Sequence, residues 1–335
     1  MNDRRPVTSW DTYSPPRRYQ TLWVALGVLA ALPGLAATAL RITAPTDDIP
    51  ALFASFIAYG VVAYLLSTAL FLIALGRARR RAGLAVVTAL SACLLGCHVA
   101  WLAPLFVSDH RLPTTSSFTL MSLNTLHGLA DPRAIEQEAR SADVVVLIEA
   151  TSGLVQELQP LSWDERFPYS VGVVGGTVGD TVIYSRFPLS NGARLPTSQF
   201  QQWIATAAVP RIGPVRIIAA HPCNPFCGSN QFRSDHQRLQ AAVQANLGGP
   251  LIVAGDLNAV DDHAPLRALR AVGMESVTDL LGAGWLPTYP ANRSIPPLIP
   301  IDHILVSPQL TATSVTRFSV PGTDHLGLIA EIARG

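Results

Sequence analysis

The sequence predicts an α/β (α+β) sandwich domain preceded by a three-helix transmembrane region. Two observations lead there. Hydrophobic residues make up 49% of the 335-residue chain and charged residues only 14%, against about 25% charged in a soluble domain, and the apolar excess lies before residue 108. Beyond that point short apolar strands alternate with turns and amphipathic helices, a pattern that packs as sheets with interposed helices around one core.

Residues 1–20 are polar, with Pro6, Pro15, Pro16 and the pairs Arg4-Arg5 and Arg17-Arg18, and read as a disordered cytoplasmic tail. Residues 21–40 carry no charge and are long enough to cross a bilayer. Pro33 and Gly34 inside them are tolerated in membrane helices. The small residues Ala36-Ala37-Thr38-Ala39 make a cleaved signal peptide the rival reading, but residues 51–75 and 84–107 are further long uncharged runs, and a buried soluble helix rarely runs so far without a polar face. The tail and the loop with Arg77, Arg79, Arg80 and Arg81 are arginine-rich, whereas residues 41–50 carry Arg41 with Asp47 and Asp48. The positive-inside rule then puts the N-terminus in the cytoplasm and everything after residue 108 outside. His98, Cys93 and Cys97 lie within the third span and are read as packing residues, because no carboxylate accompanies them.

Residues 108–117 read as a short polar linker and 118–335 as the catalytic domain. Residues 118–124 alternate as a strand. Asp131-Pro132 opens a helix to residue 140, with an N-cap followed by proline at the first helical position. Strands follow at 144–148, 181–184, 204–209, 215–220, 251–254, 304–306 and 328–332, and residues 229–247 form a helix with Phe232, Leu239 and Val243 on one face. Glycine-rich residues 172–179 lack the Lys-Ser/Thr ending of a phosphate-binding loop and read as a hairpin.

Polar residues recur at the strand ends: Asn124, Glu149, His221, Asp256 with Asn258, Asp302, and Asp324 with His325. Each alone also suits a turn or a cap. Together they suit phosphoester chemistry. Hard metal ions take carboxylate and carbonyl oxygens, a hydrolytic water needs a base, and a leaving alkoxide needs an acid or a cation. The ordered set Leu123-Asn124, Glu149, Ser185-Arg186-Phe187-Pro188, His221-Pro222, Gly255-Asp256-Leu257-Asn258, Ile301-Asp302-His303 and Thr323-Asp324-His325 resembles the endonuclease/exonuclease/phosphatase superfamily, whose fold is like that of deoxyribonuclease I. Asn124-Thr125-Leu126-His127-Gly128 followed by Ala130-Asp131-Pro132 is similar to its membrane-tethered bacterial branch. The resemblance implies a four-layer αββα sandwich of two mixed sheets and Mg²⁺ or Mn²⁺ as cofactor. It implies Glu149 as the main metal ligand with Asn124 and Asp324 beside it. Asp256 and Asn258 would position water or a phosphate oxygen, and Asp302 would fix the tautomer of His325, which polarises the water or holds the phosphate. His221 would stabilise developing negative charge. The chain departs from the family pattern at Ile148, where many relatives have Gln, and at Leu326-Gly327, where many have x-Pro. His303 would point to the opposite face of its strand and is left out.

Cys223 and Cys227 flank Asn224-Pro225-Phe226 next to His221. In an extracytoplasmic domain a local disulfide is the favoured reading, with free thiols and a metal site as alternatives. Arg233, His236 and Arg238 read as a solvated helix face, with contact to a substrate phosphate as the alternative. After residue 108 there are 15 Arg against 19 Asp plus Glu, a formal −4, without the basic face that sequence-independent nucleic-acid binding requires. The expected function is therefore a metal-dependent phosphoesterase acting outside the plasma membrane on a lipid-linked or other small phosphoester, with membrane lipids as its surroundings and no protein partner predicted. An extracytoplasmic nuclease is the first alternative. A degenerate membrane sensor or binding protein is the second.

Overall fold

The computed structural model describes residues 17–46, 48–78, 81–109, 111–114, 117–175, 180–196 and 198–335. The expected tail, residues 1–20, lies almost wholly outside them. Two compact units emerge. One comprises the chain up to Thr38 with Tyr59–Val99, and the other Ala39–Ala58 with Ala100–Gly335.

The first unit is helical. Helix α1 spans Arg17–Thr43 and continues through Pro33. A short helix α2, Asp48–Ala54, precedes α3, Gly60–Gly76, and α4, Ala82–Leu102. Among the described residues three segments are long and apolar enough to cross a membrane: Gln20–Thr43, Ile57–Gly76 and Ala82–Phe106. Small residues let these helices approach closely. A Cβ on Gly27 would lie 2.6 Å from the Phe71 ring, and one on Gly34 2.9 Å from Tyr64. Ser67 donates to the Gly27 carbonyl at 2.9 Å, and Thr38 reaches both the Tyr64 hydroxyl at 2.9 Å and His98 Nε2 at 3.0 Å. His98 is buried in this packing while Cys93 and Cys97 lie on the exposed helix face, so the three do not converge.

The expected second span, 51–75, is divided. Its first residues belong to α2, and a 3₁₀ turn at Ile57–Tyr59 separates them from α3. Ala51 and Ala54 are apolar because they are buried against protein in the second unit, with Ala51 inside one of its core clusters. An uncharged run does not distinguish that environment from lipid.

The second unit holds two six-stranded mixed sheets. The strands are β1 Phe118–Asn124, β2 Val144–Ile148, β3 Tyr169–Gly172, β4 Thr181–Ser185, β5 Leu189–Arg194, β6 Trp203–Val209, β7 Gly213–Ala220, β8 Leu251–Asp256, β9 Glu275–Ser276, β10 Asp302–Val306, β11 Leu310–Ser319 and β12 Leu326–Arg334. One sheet runs β11-β12-β1-β2-β4-β3 and the other β5-β6-β7-β8-β10-β9. Both follow one plan: a central parallel pair, β1/β2 or β7/β8, flanked on each side by antiparallel strands. The outer helices are α5 Pro132–Ala139, α6 Ser152–Leu158 and α7 Trp163–Arg166 on the first sheet, and α8 Ser229–Asn246 and α9 Ala264–Ala271 on the second. The four layers follow from strand alternation. Leu120, Val144, Val146 and Ile148 face Ile217, Ala219, Ile252, Ala254 and Ile304 between the sheets. Met121, Leu123, Val145 and Leu147 face the helices carrying Ile135, Leu154 and Trp163. Ile218, Ala220, Leu251 and Val253 face Phe232, Leu239 and Leu266.

The segment 108–117 is more than a tether. Arg111 Nη2 contacts the Glu275 carboxylate at 2.5 Å and Nη1 donates to the Pro308 carbonyl at 2.8 Å, while Thr114 N donates to Arg334 O at 2.9 Å. The hairpin expected at 172–179 joins β3 to β4, with 176–179 outside the described residues.

Gly255 is required where β8 passes β7. Its φ is +145°, and a Cβ there would lie 2.0 Å from the Ala220 carbonyl oxygen, a position and conformation closed to L side chains. Gly255→Ala is expected to destabilise the protein by about 2–3 kcal/mol, read as a lowered melting temperature of the full chain in detergent. An unchanged melting temperature would show that β8 and β7 do not approach this closely.

Candidate active site

The alternation that builds the inter-sheet core also builds the site. On β1 the inward positions run Phe118, Leu120, Ser122 and then Asn124. On β7 and β8 they end in His221 and Asp256, and β10 begins its inward row with Asp302. β1/β2 and β7/β8 are parallel pairs, and the bond from Asn124 to Asp256 brings the carboxyl ends of both pairs to one edge, where open α/β sheets bind ligands. The hydrocarbon layer is thus closed at one end by polar side chains from both sheets.

Asn124 joins the sheets. It is buried, and its Nδ2 donates to Glu149 Oε1 at 3.2 Å and to Asp256 Oδ2 at 3.0 Å, while its Oδ1 accepts from Leu126 N at 3.0 Å. Asn124 therefore orients two carboxylates while its oxygen accepts one backbone N–H. Glu149 follows β2 with φ +56°, a strained conformation for glutamate. It is held there by its backbone carbonyl accepting from Thr125 Oγ1 at 2.9 Å and its carboxylate accepting from His127 N at 3.0 Å. Asn258, also at positive φ (+49°), donates its backbone N–H to Asp256 Oδ1 at 2.8 Å and its side-chain amide to Pro222 O at 3.1 Å.

Asp256 and Asp302 are directly paired across β8 and β10. Two carboxylates so placed repel one another. His325 answers this, with Nδ1 2.8 Å from Asp302 Oδ2 and Nε2 3.8 Å from Asp256 Oδ2. Burial alone would lower its pKa, but Asp302 and Asp256 outweigh burial and raise it to about 10. Burial pushes Asp256 up to about 7 despite the pull of His325. His221 is lowered to about 3 by burial and by the nearby His325 and His127. It is therefore neutral, and its approaches of 3.7 Å to Glu149 and 3.9 Å to Asp256 are not ion pairs. The ring of Phe200 stacks on it with centroids 4.5 Å apart.

A cleft of about 280 Å³ exposes Glu149, His221, Asp256, Asn258, Asp324 and His325, together with His127, Phe200, Tyr289 and Phe226. Asn124 and Asp302 sit behind it as supports. The donor set fits a hard divalent cation. Glu149, Asp256 and Asp324 offer carboxylate oxygens to the cleft, and Asp324 Oδ1 is buried without a hydrogen-bond partner. Donor atoms of Asp256, Asp302 and His325 also lie within 4.8 Å of one another, but Asp302 Oδ2 is committed to the imidazole.

His303 turns to the other face, its Nε2 2.8 Å from the Ala259 carbonyl. Cys223 and Cys227 form a disulfide in the cleft wall. The solvated face expected on α8 is only partly so. His236 is buried against Phe232, ring centroids 4.7 Å apart, and Arg238 pairs with Asp235 at 3.0 Å. Neither lines the cleft, because Asp235 and His236 serve the packing of α8 on the second sheet. Several residues escaped the sequence reading. His127 places Nδ1 2.7 Å from Glu149 Oε2, Thr323 donates to Asn124 O at 2.7 Å, and the Tyr289 ring lies 5.0 Å from that of His325. The motif Asn124–Gly128 contained the first; nothing local marks Phe200 or Tyr289.

A family model described as the Endonuclease/Exonuclease/phosphatase family matches residues 121–325. No curated protein matches the chain. Solved structures share the fold. The endonuclease/exonuclease/phosphatase from Beutenbergia cavernae DSM 12333 is 18% identical with a TM-score of 0.50, over 66% of this chain and 72% of that one. A mannosyl-6-phosphatase of Bacteroides thetaiotaomicron VPI-5482 is 15% identical with a TM-score of 0.50, over 65% and 100%. D. rerio TDP2, complexed with single-strand DNA product, is 19% identical with a TM-score of 0.51, over 65% and 99%.

His325 holds its proton more tightly in the folded chain than at its ordinary 6.5. The stability it contributes is complete below about pH 6.5 and is lost as pH rises toward about 10. In metal-free full-length protein, the melting-temperature gap between the parent and His325→Gln should narrow over that interval. A gap that does not change with pH would contradict the charged pair.

Proposed function

The chain belongs to the endonuclease/exonuclease/phosphatase family, and from that premise we propose that it is a divalent-metal-dependent phosphoester hydrolase acting at the extracytoplasmic membrane face on a lipid-linked or other small phosphoester. The family acts on phosphoesters and is generally metal-dependent. The observation that carries the reading is the convergence of Glu149, His221, Asp256 and the Asp302–His325 pair on one cleft at the common edge of both sheets.

Residues Glu149 and Asp324, with Asp256 beside them, would hold Mg²⁺ or Mn²⁺, which supplies Lewis-acid neutralisation of phosphate charge. The chain's own groups divide the remaining work. Asp302 holds Nδ1–H of His325 and keeps the imidazole cationic at neutral pH, so Nε2–H presents positive charge to a phosphate oxygen. Asp256 faces the cleft, where its carboxylate is suited to position the attacking water or accept its proton, and Asn258 fixes one of its oxygens. Neutral His221, shielded by Phe200, would donate its Nε2–H to the phosphate oxygen that gains charge.

Membrane attachment supports the choice of substrate. Three apolar helices precede the domain, which tethers the cleft near headgroups. The formal −4 after residue 108 disfavours a long polyanion. The segment Ala39–Ala58, which runs from the end of the first apolar helix into the start of the second, is part of the same compact unit as the catalytic domain. That agrees with both lying on one side of a membrane crossed by all three.

The test is full-length protein in detergent with Mg²⁺ or Mn²⁺ against polyprenyl pyrophosphate, phospholipids and single-stranded DNA. Turnover of a lipid phosphoester is expected. Cleavage of DNA alone would favour the nuclease, and no turnover with no metal binding would favour a binding protein. Glu149→Gln and His325→Ala should each lower kcat by about 10²–10⁴-fold while the melting curve stays cooperative. Near-parental rates in both would overturn the site assignment.

A further inference from the structure

Two residues of the cleft wall come from outside the catalytic domain: Leu52 and Ser55, on and just after α2, between the first two apolar helices. They line it together with Leu126, Phe226, Ile299 and Ile301.

The segment is built in. Ala51 is fully buried among residues of β7, β8, α8 and α9. Its carbonyl lies 2.6 Å from His263 Nε2, and His263 Nδ1 accepts from Val260 N at 2.9 Å. That acceptor role leaves the ring proton on Nε2 for Ala51. The adjacent Asp262 pairs with Arg41 at 3.2 Å. Asp262 and His263 close the same loop that begins with Asp256 and Asn258, so one loop positions catalytic groups and pins α2. On the far side α2 packs against the 3₁₀ turn Pro225–Cys227, itself closed by the Cys223–Cys227 disulfide.

The mouth is apolar and open. Phe226 is 70% exposed, beside a floor of carboxylates and imidazoles. An aromatic ring exposed beside a charged site forms a surface that an apolar ligand covers favourably. We propose that α2 is a specificity element of the hydrolase, and that Leu52 and Phe226 grip the first methylenes of an aliphatic chain whose phosphoester sits on the site floor. The substrate is then an amphiphile with a flexible chain at the phosphoester. A compact sugar or nucleoside ester lacks the group this mouth would bury. This rests on the phosphoesterase reading above and adds the source of its selectivity.

Two measurements separate the claims. The first uses 4-nitrophenyl alkyl phosphate diesters, methyl against dodecyl below its micelle concentration, with full-length enzyme. The kcat/KM ratio of dodecyl over methyl should be at least about tenfold, the worth of roughly two buried methylenes. It should collapse, chiefly through KM, in Leu52→Ser and in Phe226→Ser, and recover in Leu52→Met. The second needs no turnover. A dodecyl phosphate with a terminal diazirine should label peptides containing Leu52–Phe56 or Phe226, and excess inorganic phosphate should suppress that label. A parent ratio near one, or ratios unchanged in both serine variants, would overturn the role of α2. Phosphate-competed labelling without hydrolysis of either ester would leave the mouth intact and sink the hydrolase reading instead. Absence of phosphate-competed label at these peptides would sink the mouth itself.

Discussion

The amide of Asn124 lies between Glu149 of one sheet and Asp256 of the other, at the point where a hydrocarbon core meets a charged cleft. Buried carboxylates cost several kcal/mol each unless paired and hydrogen-bonded. One neutral donor group that serves both lets two acids from different sheets share an edge. It also ties the two layers together at this edge, so the distance across the cleft is set by a specific bond. Around it, Asp302 and Asp256 face each other in register and depend on the proton held by His325. Removing any member leaves another charge uncompensated.

That arrangement depends on topology. Each sheet repeats one plan, with a parallel pair at its centre, and the carboxyl ends of both pairs meet at a common edge. No repeat is visible in the amino-acid sequence, because alternation and strand order tolerate wide substitution of apolar residues. Functional groups are instead concentrated where inward rows end. Leu126, His127, Glu149 and Asn258, all non-glycine residues held at positive φ, line the cleft there at the cost of local strain.

The loop from Asp256 to His263 links this edge to the segment between the first two apolar helices. Asp256 and Asn258 face the cleft, while Asp262 and His263 hold Arg41 and the Ala51 carbonyl. A shift of α2 would thus be transmitted to the loop that carries two site residues, through a hydrogen bond buried from water.

Local pattern alone determined the apolar character of the three helices, the N-cap at Asp131, most of the interior strands, and the set of polar strand ends from Asn124 to His325. The reason is that strand alternation and capping are written in neighbouring residues. The inward parity that placed Asp302 in the site and His303 outside it was legible for the same reason. Edge strands were not: β3, β5, β9 and most of β11 are short or polar and half exposed, so they carry no apolar signal. Tertiary structure decided that Gly255 yields to the Ala220 carbonyl, that His236 is buried, and that Phe200 and Tyr289 reach the histidines. It also decided that Ala51, Ala54 and Ser55 pack on protein. Each of these depends on which surfaces meet across long stretches of chain, and an apolar side chain reads the same whether it is bound for lipid, a core or the wall of an active site.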